Sequence, residues 1–161
     1  MKKSIKLLVL TLALMVAVGV FSACQSKGTD LPSFKGTIHF NEKYVYEYTS
    51  TISDSNASYA LTFSADGNGQ YEVYHSYTSD VSGKTDVSSY TINFKWQQAS
   101  NGAVYLFKTD VTVHPEDNSE KDDRDVPNCA IYFSEDFLVL DYGDDNTIYV
   151  RENSDLADLK S

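Results

Sequence analysis

Residues 36–161 predict an all-β fold, an antiparallel up-and-down meander of about eight or nine strands. Three observations predict it. Tyr, Val, Ile, Phe and Thr dominate from Gly36 onward, apolar side chains recur at every second position, and turn residues fall where that alternation breaks. No stretch of helical length shows a 3.6-residue period before the C-terminus. Closure into a barrel removes the exposed edges of such a meander, and a β-sandwich of the same strands is the alternative.

The elements follow in order. Gly36–Phe40 and Tyr44–Thr51 open the meander, and in the second of these Tyr44, Tyr46 and Tyr48 project to one side. Tyr59, Leu61, Phe63 and Ala65 share the apolar face of the next strand. Asp66-Gly67-Asn68-Gly69 then turns the chain, because Asn and Gly accept the positive φ of tight hairpins. The strand that follows carries Tyr71, Val73 and Tyr77 on one face and Tyr74 on the other. After a loop at Val81-Ser82-Gly83-Lys84, the segment Ser89–Trp96 alternates cleanly, with Tyr90, Ile92, Phe94 and Trp96 on one face. Ser100-Asn101-Gly102 leads into Val104–Val113. Ala130–Phe133, Phe137–Tyr142 and Thr147–Arg151 complete the strands, separated by Ser134-Glu135-Asp136 and Gly143-Asp144-Asp145-Asn146. At the end, Asn153 or Ser154 caps a short helix carrying Leu156 and Leu159.

The first residues carry a different signal. Lys2, Lys3 and Lys6 form a basic start, Leu7 to Phe21 an apolar run, and Ser22 and Ala23 a small-residue exit before Cys24. That is the pattern of a secretory signal, shorter than the roughly 20 apolar residues of a membrane span. Phe21-Ser22-Ala23-Cys24 resembles the lipobox of bacterial lipoproteins, which implies cleavage after residue 23 and a diacylglyceryl anchor on Cys24. Residues 24–35 then read as a lipidated flexible tether, and 36–161 as a single β domain outside the cytoplasm, held at the cell membrane. Once Cys24 is acylated only Cys129 remains, so no internal disulfide forms and the core must carry stability.

Charge excludes one class of partner. The formal net charge is −10, and cleavage removes three lysines and no acid, taking it to −13. Such a domain repels nucleic acid and anionic head groups.

The succession Leu61-Thr62-Phe63-Ser64-Ala65-Asp66-Gly67, Tyr90–Trp96, Ile131–Leu140 and Ile148-Tyr149-Val150-Arg151 resembles the small lipocalin-like β-barrel lipoproteins of bacteria. The resemblance spans about residues 36–152 and implies a barrel or barrel-like meander with no catalytic residue set. An eight-stranded barrel is just wide enough to be filled by side chains or to hold one small ligand. The many inward Tyr, Phe and Trp favour the filled form.

Chemistry-bearing residues are sparse. His39, His75 and His114 stand far apart without metal-type spacing, and no nucleophile elbow occurs. No cofactor or metal is expected. Cys129 reads as a small, buried, inert thiol. From Pro115 to Pro127, the acids Glu116, Asp117, Glu120, Asp122, Asp123 and Asp125 outnumber Lys121 and Arg124, and the stretch reads as a solvated, mobile loop. Exposed tyrosines and this loop form the expected contact surface, with Tyr44, Tyr46, Tyr48, Tyr74, Glu116, Asp117, Asp122 and Asp123 as its residues. The expected function is a non-catalytic, lipid-anchored binding domain of the cell envelope. The alternatives are an inhibitor or immunity-type protein that blocks a secreted hydrolase, and a carrier of a small hydrophobic ligand. Its partner is accordingly a protein or a small ligand, besides the membrane reached through Cys24.

Overall fold

Period-two alternation builds eight strands: β1 (Lys43–Ser50), β2 (Ser55–Phe63), β3 (Asn68–Thr78), β4 (Thr85–Gln98), β5 (Val104–Val113), β6 (Ala130–Phe133), β7 (Phe137–Asp141) and β8 (Asn146–Arg151). The structure is a computed structural model that describes residues 36–50, 52–119 and 123–156. The expected signal peptide and tether, Cys24 and Asp122 lie outside the described residues.

Each strand pairs antiparallel with the next, and β1 pairs with β8 at Tyr44–Arg151 and Val45–Val150. The meander is therefore a closed eight-stranded barrel with lipocalin-like up-and-down order, and the sandwich is set aside. Register keeps one face inward throughout. Tyr44 pairs with Leu61, Leu61 with Tyr71 and Tyr71 with Ile92, so four apolar side chains meet in one interior layer. A slip of one residue in any of these strands would send its whole apolar set to water.

Gly36–Phe40, expected as a ninth strand, joins no ladder. Both neighbours of β1 are already occupied, so barrel closure leaves no edge for it. The segment instead crosses one end of the barrel. Gly36 N–H donates to Phe133 O at 2.8 Å, His39 N–H to the Tyr44 hydroxyl at 3.1 Å and Asn41 N–H to Phe63 O at 2.8 Å. Of the C-terminal helix, residues 152–156 are turns and the remainder lies outside the described residues.

The core is densest at that crossed end. The Phe63 ring lies 5.1 Å from Phe133, 5.6 Å from Phe94 and 6.2 Å from Trp96, and Tyr44 lies 5.5 Å from Phe133, all edge-on. Edge-to-face packing sets positive ring edges against negative faces and adds about 0.5–1.5 kcal/mol per pair beyond burial. Phe40 stacks on Trp96 at 6.1 Å, and the indole N–H donates to Ser64 O and Asn68 O across the β2–β3 turn. Gly69 makes this packing possible: a Cβ there would collide with the Phe94 ring. Gly67 supplies the turn itself at φ +84°. Arg151 seals the rim of this end, 2.8 Å from Glu42 and 3.2 Å from Asp136.

One seam is thin. β5 and β6 pair only at Val104–Ile131, so most of the β5 edge has no strand beside it. Residues 123–127 cover it. Lys108 on β5 donates to Arg124 O at 2.7 Å, and Val126 turns into the core.

Candidate functional site

The opposite end of the barrel is built from the same alternation but finishes differently. Above the phenylalanine layer the inward residues are tyrosines. Tyr46 stacks on Tyr59 at 6.0 Å and meets Tyr149 at 5.7 Å, while Tyr59 stacks on Tyr71 at 6.4 Å. Tyr71 and Tyr149 are buried and hydrogen-bonded to each other, and burial pushes both phenols far above their ordinary value. This layer fills the middle of the barrel with rings. Beyond it, Tyr48 and Tyr77 follow the same inward rows past the end of the packing and stand 49% and 41% exposed. His75 precedes Tyr77 in the same row of β3, its Nε2 3.3 Å from Ser55 Oγ.

Two hairpin loops project from this rim. The β1–β2 loop carries Ile52 and the β3–β4 loop carries Val81, exposed 93% and 98%. The strands beneath them are neighbours, joined at the rim by Thr78 N–H to Asp54 O at 3.1 Å. Two aliphatic tips and two tyrosines thus crowd one end, within an acidic surround of Asp54, Asp80 and Asp86, the last paired with Lys84.

The stretch after β5 is a docked element over residues 114–119, which corrects the expectation of a solvated, mobile loop. β4 outruns β5, leaving the Thr85–Ser89 edge without a strand partner. Side chains of the loop take the partner's place. Asn118 Oδ1 accepts from Val87 N–H at 2.6 Å, its N–H donates to Val87 O at 3.0 Å, and its Nδ2 donates to Thr85 O at 3.1 Å. Asp117 Oδ2 accepts from Ser89 N–H at 2.8 Å, and Oδ1 accepts from Ser119 and from Arg124 Nη2 at 3.1 Å. An unpaired sheet edge invites pairing with another chain, and this loop blocks it. The Asp117 side chain is only 1% exposed. Burial alone would raise its carboxyl, but the Ser119, Ser89 and Arg124 donors outweigh that and hold it below the ordinary carboxylate range. Arg124 also lies over the Tyr90 ring, 5.4 Å from its centroid, which ties the loop to the interior.

Ser89, His114 and Glu116 form a cluster that sequence reasoning missed. Ser89 Oγ donates to Glu116 Oε1 at 2.6 Å and sits 3.1 Å from His114 Nδ1. With its one proton on Glu116, Ser89 accepts from His114 Nδ1, and Nε2 faces Thr91 Oγ1 at 3.0 Å. Nucleophilic chemistry needs the serine proton on the imidazole and the oxygen open to substrate. Ser89 is 3% exposed and its proton points elsewhere, so the cluster fastens the loop. The hydrogen bond from Ser89 holds the Glu116 carboxyl below its usual value. At Cys129, burial pushes the half-buried thiol up to about 11 despite a hydrogen bond with Tyr142, and a protonated thiol is a poor nucleophile. Among the described residues, no group of three His, Cys, Asp or Glu is placed to hold a metal ion.

The sequence-predicted contact residues therefore scatter. Tyr44, Tyr46 and Tyr48 do share a side, but it is the barrel interior. Tyr44 is fully buried and offers no contact surface, Tyr46 is half-buried in the tyrosine layer, and Tyr48 alone reaches the rim. Tyr74 is exposed on the outer flank, away from that row. Glu116 and Asp123 are exposed, whereas Asp117 is an internal partner. Ile52 and Val81 were legible only as lone aliphatics inside polar hairpin tips. Comparison with protein-family models, curated proteins and solved structures finds no match to the chain.

Proposed function

We propose that the chain is a non-catalytic, lipid-anchored binding domain of the bacterial cell envelope, a lipocalin-like lipoprotein that engages a protein partner through its tyrosine rim. One observation carries this reading: the described chain enters at the packed end, where Gly36 bonds to Phe133, while the exposed apolar side chains of the hairpins crowd the other end. An anchor at Cys24 would join the domain at its packed end, which leaves the rim as the end remote from the point of attachment. Two or more acyl chains supply such an anchor, each buried CH₂ contributing about 0.8 kcal/mol.

The rim's chemistry names the partner's. Aliphatic tips and tyrosines inside an acidic border suit a protein surface with an apolar patch bordered by Lys or Arg. Rings that fill the interior weigh against carriage of a hydrophobic ligand, and the committed Ser89 proton and raised Cys129 thiol weigh against catalysis.

The test uses the whole chain in its own envelope, with a photoreactive residue at Val81 or, at the packed end, at Thr37. Position 81 is expected to give a discrete protein adduct and position 37 none, and mass spectrometry of the chain from the membrane fraction is expected to show acyl chains on an N-terminal Cys24, absent in Cys24→Ala. Equal labelling at both ends, or no adduct at position 81, would overturn the rim. A Cys24 without acyl chains would overturn the anchor.

A further inference from the structure

The flank of the barrel holds a second site that the rim does not use. A groove of about 430 Å³ opens on the outer face of β2 to β5, lined by Thr62, Ser64, Asn68, Gln70, Asn93 and Thr109 together with Gly69 and Phe94. Its depth comes from a break in the sheet. Between Asn93 and Phe94 the β4–β5 register shifts, Thr109 becomes the extra residue, and its hydroxyl turns to donate to Asn93 O at 2.9 Å. Bulges of this kind bend a strand and re-aim side chains, and they concentrate beside binding sites.

The lining is uniform in chemistry. None of its residues is ionisable, in a chain whose formal charge is −10. Gln70 Nε2 donates to Asn93 Oδ1 at 3.2 Å, which leaves Gln70 Oε1 as an acceptor and Asn93 Nδ2 as a donor toward the groove. Asn68 Nδ2 donates to Asp66 Oδ2 at 2.9 Å, leaving its own Oδ1 to accept. The Thr62 hydroxyl has no side-chain partner among the described residues. The groove therefore offers both donors and acceptors, and a ligand built of hydroxyls, each able to give and take a proton, satisfies both kinds. An anion or cation would find no counter-charge among the lining residues themselves to offset its desolvation, Lys95 and Asp66 standing only at the margin beside Asn68.

An aromatic stands on the same outer face, just outside the lining. Phe107, two residues from Thr109, faces outward opposite Lys95, which itself stands opposite Asn68. Its ring is 51% exposed on a strand whose inward residues are already in the core. An apolar ring beside a hydroxyl-and-amide surface matches the two faces of a pyranose, with C–H groups on one side and hydroxyls around the edge.

We infer that this flank groove, formed by the bulge at Asn93 and Thr109 with Phe107 just outside its lining, binds a neutral carbohydrate chain. The site stands apart from the rim, so a failure of either leaves the other intact. The experiment is calorimetric titration of the full-length protein in detergent micelles with N-acetylchitohexaose and cellohexaose. Polygalacturonate serves as the anionic probe and a neutral extended hexapeptide as the polypeptide probe. At least one neutral oligosaccharide is expected to bind, with affinity reduced about tenfold by Gln70→Ala and by Phe107→Ala, the change that loss of one hydrogen bond or stacking contact brings. Thr112→Ala, on the same face and outside the groove, is expected to leave the affinity unchanged, and matching thermal midpoints show that all three variants fold. Absence of heat with both neutral sugars at millimolar concentration would overturn the inference. So would tighter binding of polygalacturonate or the hexapeptide, or sugar binding indifferent to Gln70→Ala and Phe107→Ala.

Discussion

The two ends of the barrel are made from the same alternating strands and end in opposite ways. At the packed end, Phe63, Phe94, Phe133 and Tyr44 are buried to within a few per cent, and the segment 36–41 crosses over them. At the rim, Tyr48 and Tyr77 continue the same inward rows into solvent, and Ile52 and Val81 stand on hairpin tips with no core to enter. An aromatic residue at an inward position is therefore not by itself a core residue. Its place along the strand decides whether it holds the fold or meets another molecule.

Breaking the packed end should cost most. Phe63→Ala removes a ring in contact with four others, and a loss of about 3–5 kcal/mol is expected in denaturant unfolding. A loss below about 1 kcal/mol would show that this end is no better packed than the rim.

The docked loop stands between the extremes. Asp117→Ala leaves Arg124 and the Ser89 N–H without their carboxylate, and a loss of about 1.5–3 kcal/mol is expected, with faster proteolysis within 114–127. The same carboxyl gives a pH signature. Its folded value lies below the unfolded value near 3.8, so its contribution is fully present above that value and is lost as pH falls through the folded value. Asp117→Asn should therefore show a shallower decline of stability below about pH 4 than the parent. An unchanged acid limb would contradict the internal role of this acid.

At the rim the expected effect on folding is smallest. Ile52→Ser combined with Val81→Ser should change unfolding free energy by less than about 0.5 kcal/mol, because neither side chain touches the core.

Much of this architecture was legible from the residues, because period two carries both strand identity and sidedness. The faces Tyr59-Leu61-Phe63, Tyr71-Val73 and Tyr90-Ile92-Phe94 read from sequence are the interior faces of the barrel. What alternation cannot carry is closure. Gly36–Phe40 has strand composition, yet the β1–β8 pairing fills the edge it would need. Nor does it say which face of β1 turns inward, which is why Tyr44 read as a contact residue and proved to be core. The acidic loop misled for a different reason. Asp117 and Asn118 dock through side-chain bonds to the backbone of a strand about 30 residues away, and charge composition holds no trace of such long-range pairing. The flank groove was equally silent, since a one-residue bulge between Asn93 and Phe94 leaves no mark on the local pattern.

The most direct measurement is the photo-adduct formed from position 77 in the intact envelope, compared between the parent chain and Ile52→Ser/Val81→Ser. The rim account predicts a discrete adduct in the parent and its loss in the double variant, with unfolding free energy unchanged. An adduct of undiminished yield in the double variant would contradict it, as would loss of the adduct through unfolding of the domain itself.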